Sequence, residues 1–564
     1  MKLTKLGLFI TICLIASIAF AQAPDTVVVD PGVGTLNEAV ANSDNQGKVF
    51  KLKGGELGVY ILNADINNIG WHLQVVGEKG DIPPRIVRDT ENDRDHFFAA
   101  EGDLTLKNLF LIYRAINGAP MRGEVISIYE DSVDVTIEKV IKSEGYGTFV
   151  RIREAAMVNL LVKDCMLFNS FHPTNHQSGG WFVWIRGDHT GSYKVVNNTV
   201  FNVNGPLFLN HWKRFDLVEN VVVEHNTICL NMRHIFAPMF AIKNYVIKNN
   251  LFVDPFARGY VGPGDYKGVE YAGDFVDNFD KERPGNEYDG LFAIDTLAAE
   301  WGVAEEDRYI EISNNVVYFT QKIKDWHDAV GAITMPWFNK TSQEMFDAYD
   351  NFLFKNNVEG VDPVLANPLS GEFYDLFIEY EDRFRMGETM PDRSWDPDGD
   401  ADPFTWPWPL PLDLSFQYNT EAQQGWDLAG DDGYPVGDLN WFPSMKSDWE
   451  AGSQGPLTPI STDVASQPTE TPKEYQLSQN YPNPFNPTTT IKYGIKNTDH
   501  VKLTVFNMLG QKIKTLVNEN VKAGSHQVTW NGTNELGQKV SNGIYFYRLE
   551  SGKFSQTMKM LLLK

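Results

Sequence analysis

Four segments of the chain can be laid one beneath another: VISIYED from Val125, FVRIREA from Phe149, FVWIRGD from Phe182 and PLFLNHW from Pro206. Strand alternation sends Ile126, Val150 and Val183, with Ile128, Ile152, Ile185 and Leu209, to one side. The other side carries two columns, Ser127–Arg151–Trp184–Phe208 and Tyr129–Arg153–Arg186–Asn210. Glu130, Glu154, Asp188, His189 and His211 lie just beyond. Guanidinium groups grip carboxylates through two parallel hydrogen bonds, and flat aromatic rings stack on sugar rings. Arg153 and Arg186 are therefore a candidate carboxylate clamp, with His211 or His189 as candidate base. Arg151, Trp184, Tyr129, Asn210 and Lys213 are candidate substrate contacts, and the polar loop SFHPTNHQSG adds His172 and His176 nearby. Such a set suits β-elimination from a uronate. Neutralising the C5 carboxylate acidifies the adjacent proton, a base removes it, and the glycosidic oxygen leaves. Glu130, Glu154 and Asp188 offer the paired carboxylates that a glycoside hydrolase needs instead. Arg–Glu pairs on an exposed strand face are also an ordinary solvated surface, so a purely structural face stays open.

A second candidate site is the run Trp395-Asp396-Pro397-Asp398-Gly399-Asp400-Ala401-Asp402. Asp396, Asp398, Asp400 and Asp402 alternate around a glycine, and oxygen-rich alternating aspartates suit calcium. The run resembles the Asp-rich calcium loops of extracellular repeat modules but lacks the later Glu of an EF-hand loop; a solvated acidic turn is the plain alternative. Calcium is the one cofactor expected, and no organic cofactor is.

These residues need a scaffold, and the middle of the chain repeats. A polar pair followed by a short apolar strand returns as LKNLFLI, IEKVIKS, VKDCMLF, VNNTVFN, EHNTICL, IKNNLFV, ISNNVVY and FKNNVEG. Register marks fall at Asn108, Lys139, Cys165, Asn198, Asn226, Asn250, Asn315 and Asn357, with first steps of 24 to 33 residues. Short strands at that period with little helix between them describe a solenoid coil. Asparagine suits it twice over, because it can hydrogen-bond from rung to rung and tolerates the left-handed backbone of a bend. The segment GTLNEAV from Gly34 is similar to the short helix that caps the first coil of pectate-lyase-like proteins. The resemblance over roughly residues 25–370 implies a right-handed parallel β-helix; it rests on rungs and cap, not on a catalytic signature. Longer steps mark insertions at about 254–307 and about 325–350, the second with a helix at TSQEMFDAYDN capped by Thr341 or Ser342. The Pro- and Trp-rich stretch at about 375–451 has no repeat and is expected to wrap back as an irregular cover.

Both ends carry addresses. Lys2 and Lys5 precede an apolar run from Leu6 to Phe20 and then Ala21-Gln22-Ala23, a secretory signal over residues 1–23 that is too short to span a bilayer. Residues 452–474 are a Pro/Ser/Thr-rich linker. From Tyr475 the chain reads YQLSQNYPNPFNPTTTIKYGI, then short alternating strands separated by turns, and it closes on NGIYFYRLESGKFSQTMKMLLLK. That pattern predicts a small antiparallel β-sandwich. Residues 475–564 resemble the C-terminal sorting domain of type IX secretion cargo, which implies an Ig-like fold and handling by that secretion machinery at the outer surface. The formal charge of −25 argues against nucleic acid as a partner. Once Cys13 leaves with the signal, Cys165 and Cys229 are too few for a disulfide framework. The expectation is thus an all-β secreted or surface protein, a right-handed parallel β-helix followed by an Ig-like sandwich, with no transmembrane segment in its mature form. It acts on or binds polysaccharide, as a uronate lyase, a glycan-binding or adhesion solenoid, or a hydrolase with paired carboxylates; a structural surface-layer role also stays open.

Overall fold

A computed structural model describes residues 25–562 apart from 91–95, 122, 154, 172–179, 187–188, 206–207, 210–216, 233–234, 240–241, 260–290, 295–302, 333, 335, 339, 399–401, 417–427, 453–474, 478–479, 481–488, 509, 536–537 and 553. The secretory signal and nearly all of the linker lie outside the described residues. The chain forms two compact units, Met1–Ile460 and Ser461–Lys564.

The first unit is a parallel β-helix. One column of residues states its logic: Val27, Phe50, Val75, Leu106, Ile137, Val162, Val195, Val223, Ile247, Ile312 and Phe354 pair in turn, every pair parallel and one coil apart. Nearly all of these side chains are fully buried. No coil could bury them alone, so stacking supplies the core. The long strands Leu104–Ala115 and Asp134–Ser143 run round a corner and join two faces into one 20-stranded sheet; a third face is a separate 8-stranded sheet. The first coil is closed by the expected helix, Thr35–Ala41, which buries Leu36 and Val40. Its cap, Gly34, has φ 70°, and a Cβ there would stand 2.6 Å from the Asn63 amide nitrogen.

The polar pair of each repeat divides two tasks that the sequence reading gave to one residue. The corner is turned by the register mark itself at Asn108 and Lys139, and by the residue before the mark at Asp164, Asn197, His225, Asn249, Asn314 and Asn356; all hold φ between 51° and 59°. The second member makes the ladder. Asn198, Asn226, Asn250 and Asn315 each donate an amide hydrogen to the next asparagine, ending on Asn357, at 2.8–2.9 Å. Asn108 and Lys139 therefore stand one column away from the other register marks. A second left-handed column, Glu144, Asn169, Asn202, Leu230 and Asp254, bends the far side of the second face.

The insertions hold more regular structure than expected. Phe292–Ile294, within the expected 254–307 insertion, is a third-face strand paired with Phe236–Met239. The second insertion holds two helices, Gln321–Val330 and Lys340–Ala348. Ser342 lies inside the latter and bonds both the N–H and the carbonyl of Ile294 at 2.7 and 2.9 Å, so it is not the cap. The cover is not irregular throughout, since it includes the helices Gly371–Met386 and Pro443–Glu450.

The second unit has a three-stranded and a four-stranded antiparallel sheet around Ile491, Leu503, Val505, Trp530, Tyr547 and Leu549. The short strands expected from alternation are present at Thr489–Ile495, Asp499–Asn507, Gly524–Trp530 and Gly543–Ser551. Lys512–Val521 and Phe554–Leu562 are added to them.

Candidate functional site

The third face brings together part of the expected constellation. Strands Glu124–Ile128, Thr148–Arg153 and Val183–Arg186 pair so that Ser127, Arg151 and Trp184 share one register and Arg153 meets Arg186. The next strand departs by one residue: Phe208 pairs with Val183 and Leu209 with Trp184. The expected Trp184–Phe208 column is therefore wrong, because alternation cannot detect a one-residue slip between coils of unequal length.

At the centre is Glu124, a residue outside the expected set. Its carboxylate accepts from Arg151, and from Arg153 Nη2 at 2.8 Å. Burial raises the Glu124 carboxyl, but the bonds and charges of Arg153 and Arg151 outweigh that and hold it below the ordinary carboxylate range. Arg151 is buried and lies 3.8 Å over the Trp184 ring, which Trp181 meets edge-on at 4.4 Å. Arg151, expected as a substrate contact, is thus enclosed and already paired. Arg153 keeps 33% of its side chain exposed, and its guanidinium stands 5.6 Å over the Tyr129 ring.

His96 completes the cluster. Its Nδ1 lies 3.2 Å from the Glu124 backbone carbonyl, 3.4 Å from the Glu124 carboxylate and 3.2 Å from Ser127 Oγ. Its Nε2 lies 3.0 Å from the Tyr129 hydroxyl. Two acceptors beside Nδ1 place the proton there, so Nε2 accepts from the Tyr129 O–H. One coil earlier, Asp65 accepts from the His96 N–H at 3.1 Å and from Arg88 at 3.2 Å, fixing the backbone that carries the ring. His96 is buried, whereas Tyr129 is 40% exposed. The result is a relay from an enclosed carboxylate, through an enclosed imidazole, to a phenol at the surface. Sequence reasoning missed His96 and Glu124 because each sits at the mouth of its strand, outside the aligned segments; the placement of His96 two residues before the strand Phe98–Ala100 was the available signal.

The other expected residues divide. His189 opens the strand His189–Val196, which pairs with Leu217–Glu224 on the first face, so it has already turned the corner away from Tyr129. Arg186 is placed by its backbone pairing only. Asn210, His211 and Lys213 lie outside the described residues, as does Asp400. In the acidic run the Asp398 N–H donates to Asp396 Oδ1 at 3.4 Å, and Asp402 pairs with Arg114 at 3.2 Å. Asp402 is thus partly neutralised by a cation, which lowers its value as a calcium ligand.

Among the described residues the second face is covered instead. Cover residues Trp395, Trp406 and Trp408 pack on Phe168, Phe201 and Phe110 with ring centroids 5.3–6.1 Å apart. Among the described residues no helix is long and apolar enough to cross a membrane.

A parallel β-helix followed by a compact antiparallel sandwich defines the class of this chain, a solenoid with an appended β-sandwich domain. Residues 479–563 match the family described as the secretion system C-terminal sorting domain. That domain marks the chain for the type IX secretion system and so for the cell surface or secretion. Two solved structures from Porphyromonas gingivalis are similar to part of the chain. Dimeric latent PorU is 20% identical over 15% of this chain and 9% of its own, with a TM-score of 0.14. PorZ, an essential surface component of the type IX secretion system, is 20% identical over 16% of this chain and 11% of its own, with a TM-score of 0.13. The chain thus spans about a tenth of the length of either structure. No curated protein matches it.

Proposed function

We propose that the β-helix engages acidic polysaccharide on its third face and cleaves it by β-elimination, with Tyr129 as the group that moves the proton. The observation that carries this reading is the Tyr129–His96–Glu124 relay, with Arg153 beside its exposed end. Arg153 meets the C5 carboxylate of a uronate. His96 Nε2 takes the phenol proton, and the Tyr129 oxygen removes the C5 proton. The C5–H electrons form the C4–C5 double bond, the C4–O bond breaks, and the proton returns through Tyr129 to the leaving oxygen. Glu124, with Arg151 and Arg153, leaves the cluster one net positive charge in an acidic protein, which favours a carboxylated sugar locally. Trp184 and Trp181 offer apolar area beside it. The pectate-lyase-like resemblance of the coils agrees with this assignment. Asp396, Asp398, Asp400 and Asp402 have no part in the step.

The test is formation of unsaturated uronate, followed by ultraviolet absorbance, when the purified chain meets polygalacturonate, alginate or glycosaminoglycans. Product that disappears in Tyr129→Phe supports the reading. Saturable binding without unsaturated product or new reducing ends overturns catalysis. It favours a glycan-binding solenoid, for which the commitment of both Arg151 and Arg153 to Glu124 already speaks.

A further inference from the structure

A second cluster, on the corner between the first and second faces, has the chemistry of a metal site. We propose that Glu224, His225 and Asp432 hold a divalent transition-metal ion of the zinc class, clamping the cover onto the solenoid.

The three residues each present one ligand atom, and these atoms lie within 4.8 Å of one another; among the described residues no other His, Cys, Asp or Glu cluster does so. His225 is fully buried in the left-handed corner column. Its Nδ1 lies 3.3 Å from the Gly437 carbonyl, which can only accept, so Nδ1 carries the hydrogen and donates it. Nε2 is thereby aimed at Asp432 Oδ2, 2.8 Å away. A histidine whose far nitrogen is tied to a backbone carbonyl while the near one faces a carboxylate is the arrangement that orients a metal ligand. Something positive must lie between two such atoms, either a proton or a cation.

The surroundings favour a divalent ion. Asp432 is itself held: its Oδ1 accepts from the Tyr434 N–H at 3.1 Å and its Oδ2 from Trp449 Nε1 at 2.9 Å. Three carboxylates, Glu224, Asp431 and Asp432, gather here with one ammonium, Lys248, which sits 3.2 Å from both Glu224 and Asp431. With a neutral imidazole that sum is −2, the charge a divalent ion cancels. An imidazole nitrogen with two carboxylate oxygens suits zinc, which leaves a fourth position for water. Bonds of ~2.1 Å in a tetrahedron set ligand atoms ~3.4 Å apart. Asp432, 21% exposed and on a loop of the cover, needs to withdraw by ~0.6 Å. Asp432 and Trp449 belong to the cover, Glu224 and His225 to the coil, so one ion would join two parts of the chain 207 residues apart in sequence.

The experiment is titration of zinc chloride into the chelator-treated full chain, read by calorimetry and by the thermal midpoint, with the visible spectrum of the cobalt(II) form as a third readout. One equivalent of zinc, a raised midpoint, and binding at least ten-fold weaker in both His225→Gln and Glu224→Gln support the site. Glu224 lies at the rim, so Glu224→Gln keeps the test sound if His225→Gln does not fold. Absence of saturable zinc binding, or binding unchanged in the two variants, overturns it and leaves a protonated His225–Asp432 pair.

Discussion

The second and third faces of the solenoid are built from the same coils, yet they treat their outward side chains in opposite ways. On the second face the outward residues are largely apolar, and its corner asparagines turn toward the cover. Asn169 bonds both the N–H and the carbonyl of Trp395 at 2.7 and 2.8 Å, and Asn202 donates to the Arg393 carbonyl at 2.9 Å. Along the other corner Asn197 bonds Leu439 and Asn440, and Asp164 pairs with Lys446 at 2.9 Å. On the third face the charged groups satisfy one another, and the network ends at the partly exposed Tyr129 and Arg153. One face has been spent on stability, and the other retains chemistry at its surface.

The largest expected effect comes from breaking the covered face. Arg393 is fully buried, bonded to Asn202 and Asn204, and stacked 4.3 Å from the Phe171 ring and 4.9 Å from the Tyr380 ring. Burial lowers its guanidinium to about 10. Arg393→Ala leaves two buried amides without their donor and frees the helix Gly371–Met386, a loss of roughly 3–5 kcal/mol in denaturant unfolding. A loss below about 1 kcal/mol would mean that the cover is not held at this point.

Glu124→Gln is the matching break on the third face. It removes the shared acceptor of two guanidinium groups while keeping the shape, and the expected cost is roughly 2–4 kcal/mol. The same change leaves the His96 ring less firmly oriented, so turnover of any uronate substrate should fall more than binding does. Equal loss of both would show that Glu124 serves folding alone.

The covered face was legible in outline and the third face only in part, for physical reasons. Inward columns repeat apolar types along every rung, so alternation found Ile126, Val150 and Val183 and placed Arg151 beside Trp184. Register along the solenoid is set by coil length, which loops change freely. That is why Phe208 slipped and why Asn108 and Lys139 were grouped with a ladder they do not join. Glu124 and His96 escaped because their roles depend on contacts 27 to 33 residues apart, which strand alternation does not reveal. Arg153 and Tyr129 could be read because their strands align by eye.

Asp438 sharpens the comparison through pH. It is buried beneath the cover and pushed up to about 7 from 3.8 by that burial, although the Thr199 hydroxyl and the Asn440 N–H donate to it. An acid whose folded value is raised holds a proton that the unfolded chain has already released. Stability should therefore fall as pH rises from about 4 to about 7, by an amount on the order of 4 kcal/mol, and level off above. Asp438→Asn should flatten that slope in a series of thermal midpoints. A slope that survives the substitution would assign it to another buried acid, such as Asp254, which burial pushes up to about 6.

Tyr129→Phe is the smallest structural change and the most discriminating. The phenol spans the boundary between an enclosed histidine and the surface, so its hydroxyl contributes one hydrogen bond, about 1 kcal/mol, while the ring still meets Arg153. If the third face only satisfies its own charges, the variant should unfold within about 1 kcal/mol of the parent and differ in nothing else. If it carries the elimination, the same small change should remove product formation by a factor of 10² or more, the span general acid–base catalysis covers, while uronate binding stays within a few-fold. Residual product at the parent rate would take the proton transfer away from Tyr129 and return the third face to the status of the second, a surface whose polar groups serve the fold.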